Sequence, residues 1–381
     1  MPINLPQTQA AEQPAAPPAV PKENTIDKVN LFLERFSRVP MSEKLFFVQH
    51  LGVMLKAGIS LSVALKTLAR QTANKKFAHV IGDISANVEK GVSFTESLKP
   101  HEKIFGQLFV NMVESGEVSG KLEEVLKRLF IQFKKNHELV SKVRGALTYP
   151  AVILLAMGGI GTFMMTSVVP KITGMFKDFN AELPLVTKLL IKFSDSLVAH
   201  GLLYLIGLIV FILIIIQIAK TEKGKYYIDF LLLKLPIFGP IVKKINLAKF
   251  SRTISSLLKT DIMIIKSFQI TASVLGNTHY RRALNEMSAK IKKGGTINEI
   301  IASYPKLFPP VVTQMISVGE ETGELDTILE ELAEFYEGEI DQIMNNLPSI
   351  IEPVLILVLG LAVGGMAVAV IMPMYTLTSA I

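Results

Sequence analysis

The chain has 381 residues, half of them hydrophobic and 19% charged, with a mean hydropathy of +0.41 and a net charge of +7. That apolar excess is more than a soluble domain of this size carries, so the composition points to membrane spans beside soluble parts. The absence of cysteine excludes disulfides, zinc-thiolate sites, iron–sulfur ligation and thiol catalysis, and a basic balance without interleaved aromatics fits lysines held on the cytoplasmic side of a membrane rather than nucleic acid.

Residues 1–40 open with "MPINLPQTQAAEQPAAPPAVPKENT". This stretch lacks the basic start and apolar core of a secretory signal, and reads as a disordered tail and linker. Residues 41–149 are predicted to form a cytoplasmic helical domain. Phe47, Leu51, Met54 and Leu55 stand at i, i+4, i+7 and i+8, giving the opening helix one apolar face. "SFTE" at Ser93–Glu96 has the spacing of a capping box, and Leu122, Val125, Leu126, Leu129, Phe130 and Phe133 form a later stripe.

A first span follows over residues 150–170, an outer loop over 171–200 and a second span over 201–219. A cytoplasmic connector occupies residues 220–249, a second helical domain 250–352, a third span 353–373 and an outer tail 374–381. Each span meets the ~20 apolar residues needed to cross hydrocarbon as a helix. Lys134, Lys135, Lys142 and Arg144 precede the first span, and Lys220, Lys223, Lys225 and Lys234 follow the second. Basic residues near span ends resist translocation, which places both domains in the cytoplasm and the C-terminus outside.

The chain repeats itself. "SGEVSGKL" from Ser115 has a counterpart in "VGEETGEL" from Val318, an offset of 203 residues (319 − 116). The same offset pairs Phe47 with Phe250, Phe105 with Phe308, Pro150 with Pro353 and "SFTE" with "TINE" at Thr296–Glu299. No strand-like alternation interrupts either copy, so each is predicted to be a helical bundle. The intervening span returns the chain to the side from which it started.

The repeated glycine corner invites a nucleotide reading, which its details exclude. A phosphate-binding P-loop needs G-x-x-x-x-G-K-[ST] after a strand, whereas Ser115 occupies the place of the first glycine, Leu122 that of the hydroxyl residue, and Glu324 replaces the lysine in the second copy. A helix–turn–helix corner fits better: Gly116 would end one helix, Gly120 would share the turn, and Ser119 or Thr322 would cap the next helix. Glu117 and Glu320 are not demanded by such a turn, and two uses fit them: bonding local amides, or touching a partner.

Outside the corners, charge separates the copies. Residues 121–144 carry seven Lys/Arg and three Asp/Glu, a net +4, while residues 324–347 carry eight Asp/Glu and no Lys/Arg, a net −8. Opposite faces bearing Lys134, Lys135 and Lys142 against Glu334, Glu337 and Asp341 are candidates to pair, within one chain or between subunits. Six scattered histidines form no metal-like pair and no Ser/His/Asp set, so neither a metal, a cofactor nor a catalytic residue is expected. A transporter or protein-conducting channel is the opposing reading, and it would place ionisable groups inside the spans; the three predicted cores contain none. The third span instead holds Gly360-x-x-x-Gly364, a spacing that lets helices approach closely.

The doubled "[SV]GE-x-[ST]G-x-L" corner, the three spans and "LPIFGPIVKKINLAKFSRTISSLLK" from Leu235 to Lys259 closely resemble the bacterial type II secretion F / type IV pilus assembly platform family. The resemblance covers residues 41–375. It implies an all-α, multi-pass inner-membrane protein, with two homologous cytoplasmic bundles of six-helix type and three transmembrane helices embedded in lipid. It implies a non-enzymatic platform that self-associates, works with other inner-membrane pilus or secretion components, and couples a hexameric assembly or retraction ATPase to pilin or pseudopilin movement. Gly116, Glu117, Gly120, Gly319, Glu320 and Gly323 match the family's signature corners. One departure is "KTDIMI" from Lys259 where the first copy has "KAGISL" from Lys56. Asp261 there replaces Gly58, which sets the equivalence of that turn in question.

Overall fold

The computed structural model describes residues 39–178, 185–236 and 238–378. The Pro/Ala-rich tail over residues 1–38, and with it the expectation of disorder there, lies outside the described residues.

The first bundle contains α1 (Met41–Lys56), α2 (Leu61–Gln71), α3 (Lys75–Glu89), α4 (Phe94–Leu98), α5 (Glu102–Phe105), α6 (Gln107–Ser119) and the first part of α7 (Leu122–Phe163). Its apolar stripes meet around Phe47, Phe77 and Phe105, whose ring centroids are 5.6 Å apart in each pairing. Tilted and edge-on contacts of this kind suit the aromatic quadrupole. After the span come α8 (Val169–Asp178), α9 (Leu185–Lys220) and α10 (Glu222–Lys234).

The second bundle is built from α11 (Phe238–Leu258), α12 (Ile264–Val274), α13 (Thr278–Ile291), α14 (Ile297–Ala302), α15 (Pro310–Thr322) and the start of α16 (Leu325–Thr378). Phe250, Tyr280 and Phe308 repeat the aromatic triangle at the same offset, with 5.1 Å between Phe250 and Phe308 and 5.6 Å between Tyr280 and Phe308. The one added polar atom is satisfied, because the Tyr280 hydroxyl donates to the Leu307 carbonyl at 2.7 Å.

The turn questioned from sequence is retained. Gly58 ends α1 at φ +80°, with its amide bonded to the Leu55 carbonyl and the Ile59 amide to the Met54 carbonyl. Asp261 adopts φ +60°, and the Asp261 and Ile262 amides reach Leu258 and Leu257 in the same way. Both are left-handed helix ends of the Schellman type, and aspartate is among the few side chains that enter this region at modest cost.

The predicted boundaries between domain and span at Pro150 and Pro353 are not breaks in structure. Helix α7 runs through Pro150, and α16 runs unbroken over 54 residues. Three helical stretches are long and apolar enough to cross a membrane, Leu122–Gly174, Thr187–Lys220 and Leu325–Ala369, and at most 6% of their apolar windows is buried within the protein. The last helix of each bundle is therefore also its span. A π-helical turn at Met164–Val168 precedes Pro170. Proline there can neither donate a bond nor tolerate the carbonyl four residues back, and a wider turn accommodates it; the Ser194 hydroxyl of α9 bonds the Met165 carbonyl in this turn.

The two cores interlock. Leu257, Ile262 and Ile270 of the second repeat belong to the first bundle's core, and Leu139, Val143 and Ala146 of α7 pack on the second.

Candidate functional site

The corners are clamps, and each of their residues has a distinct mechanical task. Helix α6 runs through Gly116 and ends at Gly120, which takes φ +71°; α15 likewise passes Gly319 and ends at Gly323 with φ +77°. The expected division of labour is thus corrected: Gly120 and Gly323 terminate the helices, while Gly116 and Gly319 lie inside them. A Cβ on Gly116 would sit 2.8 Å from the Val125 side chain and 3.2 Å from the Leu122 Cα; one on Gly319 would sit 3.0 Å from the Leu325 Cα. Glycine here lets the following long helix lie directly on the corner.

Ser119 and Thr322 do not cap those helices. Their hydroxyls bond back to the carbonyls of Ser115 and Val318, at 2.7 and 2.8 Å, a use of Ser and Thr common within helices.

Glu117 is turned inward onto the start of α4. It accepts from the Phe94 amide at 2.6 Å, the Thr95 amide at 2.9 Å and the Thr95 hydroxyl at 2.6 Å. Glu320 accepts from the Ile297 and Asn298 amides of α14 at 2.9 and 3.0 Å. Ser93 and Thr296 accept from the Glu96 and Glu299 amides at 3.1 and 3.4 Å, so the hydroxyl half of the anticipated capping box is present in both copies, while the Glu96 carboxylate pairs with Lys99. Together the two groups satisfy the free amides of a short helix start, and the carboxylate also faces the positive end of the helix dipole. Of the two uses that fitted these glutamates, the geometry realises bonding to amides.

The first corner also rests on the second repeat. The Ser115 hydroxyl donates to the Thr260 carbonyl at 2.6 Å, Lys266 pairs with Glu114 at 2.9 Å, and Lys121 lies 3.6 Å from Asp261. Further along the joint, the Gln132 amide donates to the Thr253 hydroxyl at 3.0 Å. Lys135 meets Glu337 at 3.3 Å and Lys142 meets Asp341 at 2.6 Å. Lys134 instead pairs with Glu138 of its own helix at 3.9 Å, and Glu334 lies 3.9 Å from Arg252.

Arg252 did not stand out in the sequence. It is 8% exposed and forks onto Glu337 with two bonds of 2.9 Å, with Glu330 at 3.5 Å. Its signal was available in the unopposed acids of residues 324–347, which require a base from another helix. Lys259 bonds Glu330 and holds that carboxyl below its ordinary value. Lys249, by contrast, is depressed by burial alone. Among the described residues, nothing lies within 4 Å of where a Cβ would stand on Gly360 or Gly364, so no described helix packs on them. Nor, among the described residues, does any group of three or more His, Asp or Glu gather as a metal would require.

Comparison with known proteins accords with this architecture. The family described as "Type II secretion system (T2SS), protein F" matches the chain twice, over residues 47–170 and 250–373, and the two matches are offset by the same 203 residues (250 − 47). The chain is 38% identical to the type IV pilus assembly protein PilC of Thermus thermophilus, over 86% of this chain and 81% of that one. It is 34% identical to PilC of Myxococcus xanthus, over 96% and 87% respectively. It is 28% identical to the type II secretion system protein F of Aeromonas hydrophila, over 89% and 87%. With two clamped helical bundles whose last helices become apolar spans, the chain belongs to the type II secretion system protein F family, which includes the type IV pilus assembly proteins PilC.

Proposed function

We propose that this protein is the non-enzymatic inner-membrane platform of a type IV pilus or type II secretion machine, and that it couples a cytoplasmic hexameric ATPase to the insertion or removal of pilins or pseudopilins. The observation that carries the reading is the continuity of α7 and α16 from bundle to span. A helix without a break transmits displacement of its cytoplasmic end to its membrane end, which is what a protein without chemistry of its own needs in order to pass on work. The basic flanks of the first two spans support bundles in the cytoplasm and a C-terminus outside.

In this reading the ATPase bears on the corners. Gly116, Glu117, Gly120, Gly319, Glu320 and Gly323 hold them rigid, and Val118, 86% exposed at the first corner, offers a point of contact. Deleting the gene and scoring surface pili and exoprotein release tests the platform role: loss of one process assigns the machine, and loss of neither refutes the proposal. Val118→Asp should reduce co-purification of the ATPase while leaving the melting temperature unchanged. Undiminished recovery would remove the corner from the contact.

A further inference from the structure

The joint inside the chain is a heterologous contact: one surface of the first repeat meets a different surface of the second. The face presented by α6 and α7 of the first repeat docks on α11, α12 and their connecting turn in the second, through Ser115–Thr260, Glu114–Lys266 and Gln132–Ser256. Because the repeats share one skeleton, each of these surfaces has a counterpart that the chain leaves open. On α15 and α16 of the second repeat, Val311, Val318 and Phe335 stand at the positions of Leu108, Ser115 and Gln132. On α1 and α2 of the first repeat, Val53, Ile59 and Val63 stand at those of Ser256, Ile262 and Lys266.

The open counterparts are apolar and exposed. Phe335 is 51% exposed where Gln132 is 5%, and Ile59 is 38% exposed where Ile262 is 7%. Val53, Val63 and Val318 are each at least half exposed. Polar pairs at the internal joint are thus matched by hydrophobic residues on both open faces, and the position equivalent to the Gln132–Ser256 bond would bring Phe335 against Val53. Exposed apolar residues at positions already used for docking mark a surface built to be covered.

Charge then selects which faces meet. At the joint, the first corner offers Lys121 to Asp261 of the turn. On the open faces the corner offers Glu324, and the turn has Gly58 with Lys56 two residues away. Lys56 has its counterpart in Lys259, which Glu330 engages, so the turns differ in sign at one position, Gly58 against Asp261. Glu324 would oppose Asp261 at the second turn but meets Lys56 and no acid at the first, so the acidic corner is directed away from the former and toward the latter.

We propose that the α15–α16 face of one copy docks on the α1–α2 face of a second copy, repeating between chains the arrangement that joins the repeats within a chain. A heterologous contact propagates from copy to copy. Both bundles of a chain pack side by side and end in helices that enter the same bilayer, so the contact adds successive copies head to tail within the plane of the membrane.

The cysteine-free chain makes the test direct. Full-length Ala57→Cys and Val318→Cys proteins, carrying different tags, are co-expressed and oxidised in native membranes; positions 57 and 318 correspond to Thr260 and Ser115 at the joint. The expected product is a covalent dimer bearing both tags, with neither single variant linking to itself. A Ser115→Cys/Thr260→Cys control should close within one chain; if it does not, the joint from which the proposal is built is refuted. If the control closes and no mixed dimer forms, or if only like-with-like dimers form, the head-to-tail contact is refuted. Lys56→Glu should diminish the mixed link several-fold and Lys56→Glu with Glu324→Lys should restore it, whereas a loss that the double variant does not repair overturns the charge selection. This outcome is independent of which machine the protein serves.

Discussion

In the first bundle, Gln49 is exposed on α1 and the last helix is held by apolar contacts. In the second, the equivalent position is Arg252, buried among Glu330, Glu334 and Glu337. The aromatic triangle, the corner glycines and the inward glutamates are the same in both. What was kept after duplication is what the backbone geometry of a bundle demands. What diverged lies where the two bundles meet, and Glu337, bonded to Arg252 of its own repeat and to Lys135 of the other, shows how the change served the joint. A half-buried acid held between two bases, one of them the buried Arg252, is a registering device rather than a source of net stability, since desolvation offsets much of the attraction.

The largest test of this comparison is truncation at the centre of each core. Phe47→Ala and Phe250→Ala should each cost about 3–5 kcal/mol. Because second-repeat residues complete the first core, both variants should lower one shared thermal transition of the detergent-solubilised protein. Two transitions, only one of them shifted, would break the picture of interlocked cores.

Removing the inward glutamates should cost less and unequally. Glu117→Ala strands three donors and should lose about 2–3 kcal/mol, and Glu320→Ala strands two and should lose about 1–2 kcal/mol. Equal losses in urea unfolding would mean that the Thr95 hydroxyl adds nothing to the first clamp.

Lys249 stands where the first repeat has Phe46, and burial lowers its pKa from 10.5. Its folded pKa being depressed, the unfolded chain binds the proton more readily. The penalty is therefore complete below the folded pKa and fades as pH rises toward 10.5. Lys249→Met should stabilise by about 1 kcal/mol at neutral pH, and melting temperatures of the variant and the parent should converge as the buffer approaches that value. The smallest effect is expected at the turns: Gly58→Asp should cost about 1 kcal/mol and Asp261→Gly should gain no more than about 0.5 kcal/mol, which calorimetry of the pair would compare directly.

Much of the architecture was legible because it is local or periodic. The apolar stripes, the Ser93 and Thr296 caps, the three spans and the duplication all leave short-range marks in the chain. The role of Glu117 was not legible, because its partners Phe94 and Thr95 lie 23 and 22 residues earlier, and only the folded corner brings them together. The division between Gly116 and Gly120 was hidden for a related reason: both are glycine, but one answers to a crowded neighbour and the other to its own backbone angle. The fusion of bundle helix and span was obscured by Pro150, which marks a helix end in water yet is carried within a helix supported from its sides. Asp261 misled in the opposite direction, since the turn outlasted the glycine that advertised it.

At 1.5 Å per residue, the 54 residues of α16 make a rod about 80 Å long. Tilting such a rod by about 5° around one end sweeps the other through roughly 7 Å, more than the rise of a full helical turn. A small rocking of the bundle at one end is thereby geared up to a stroke of molecular size at the other, with no moving joint between them.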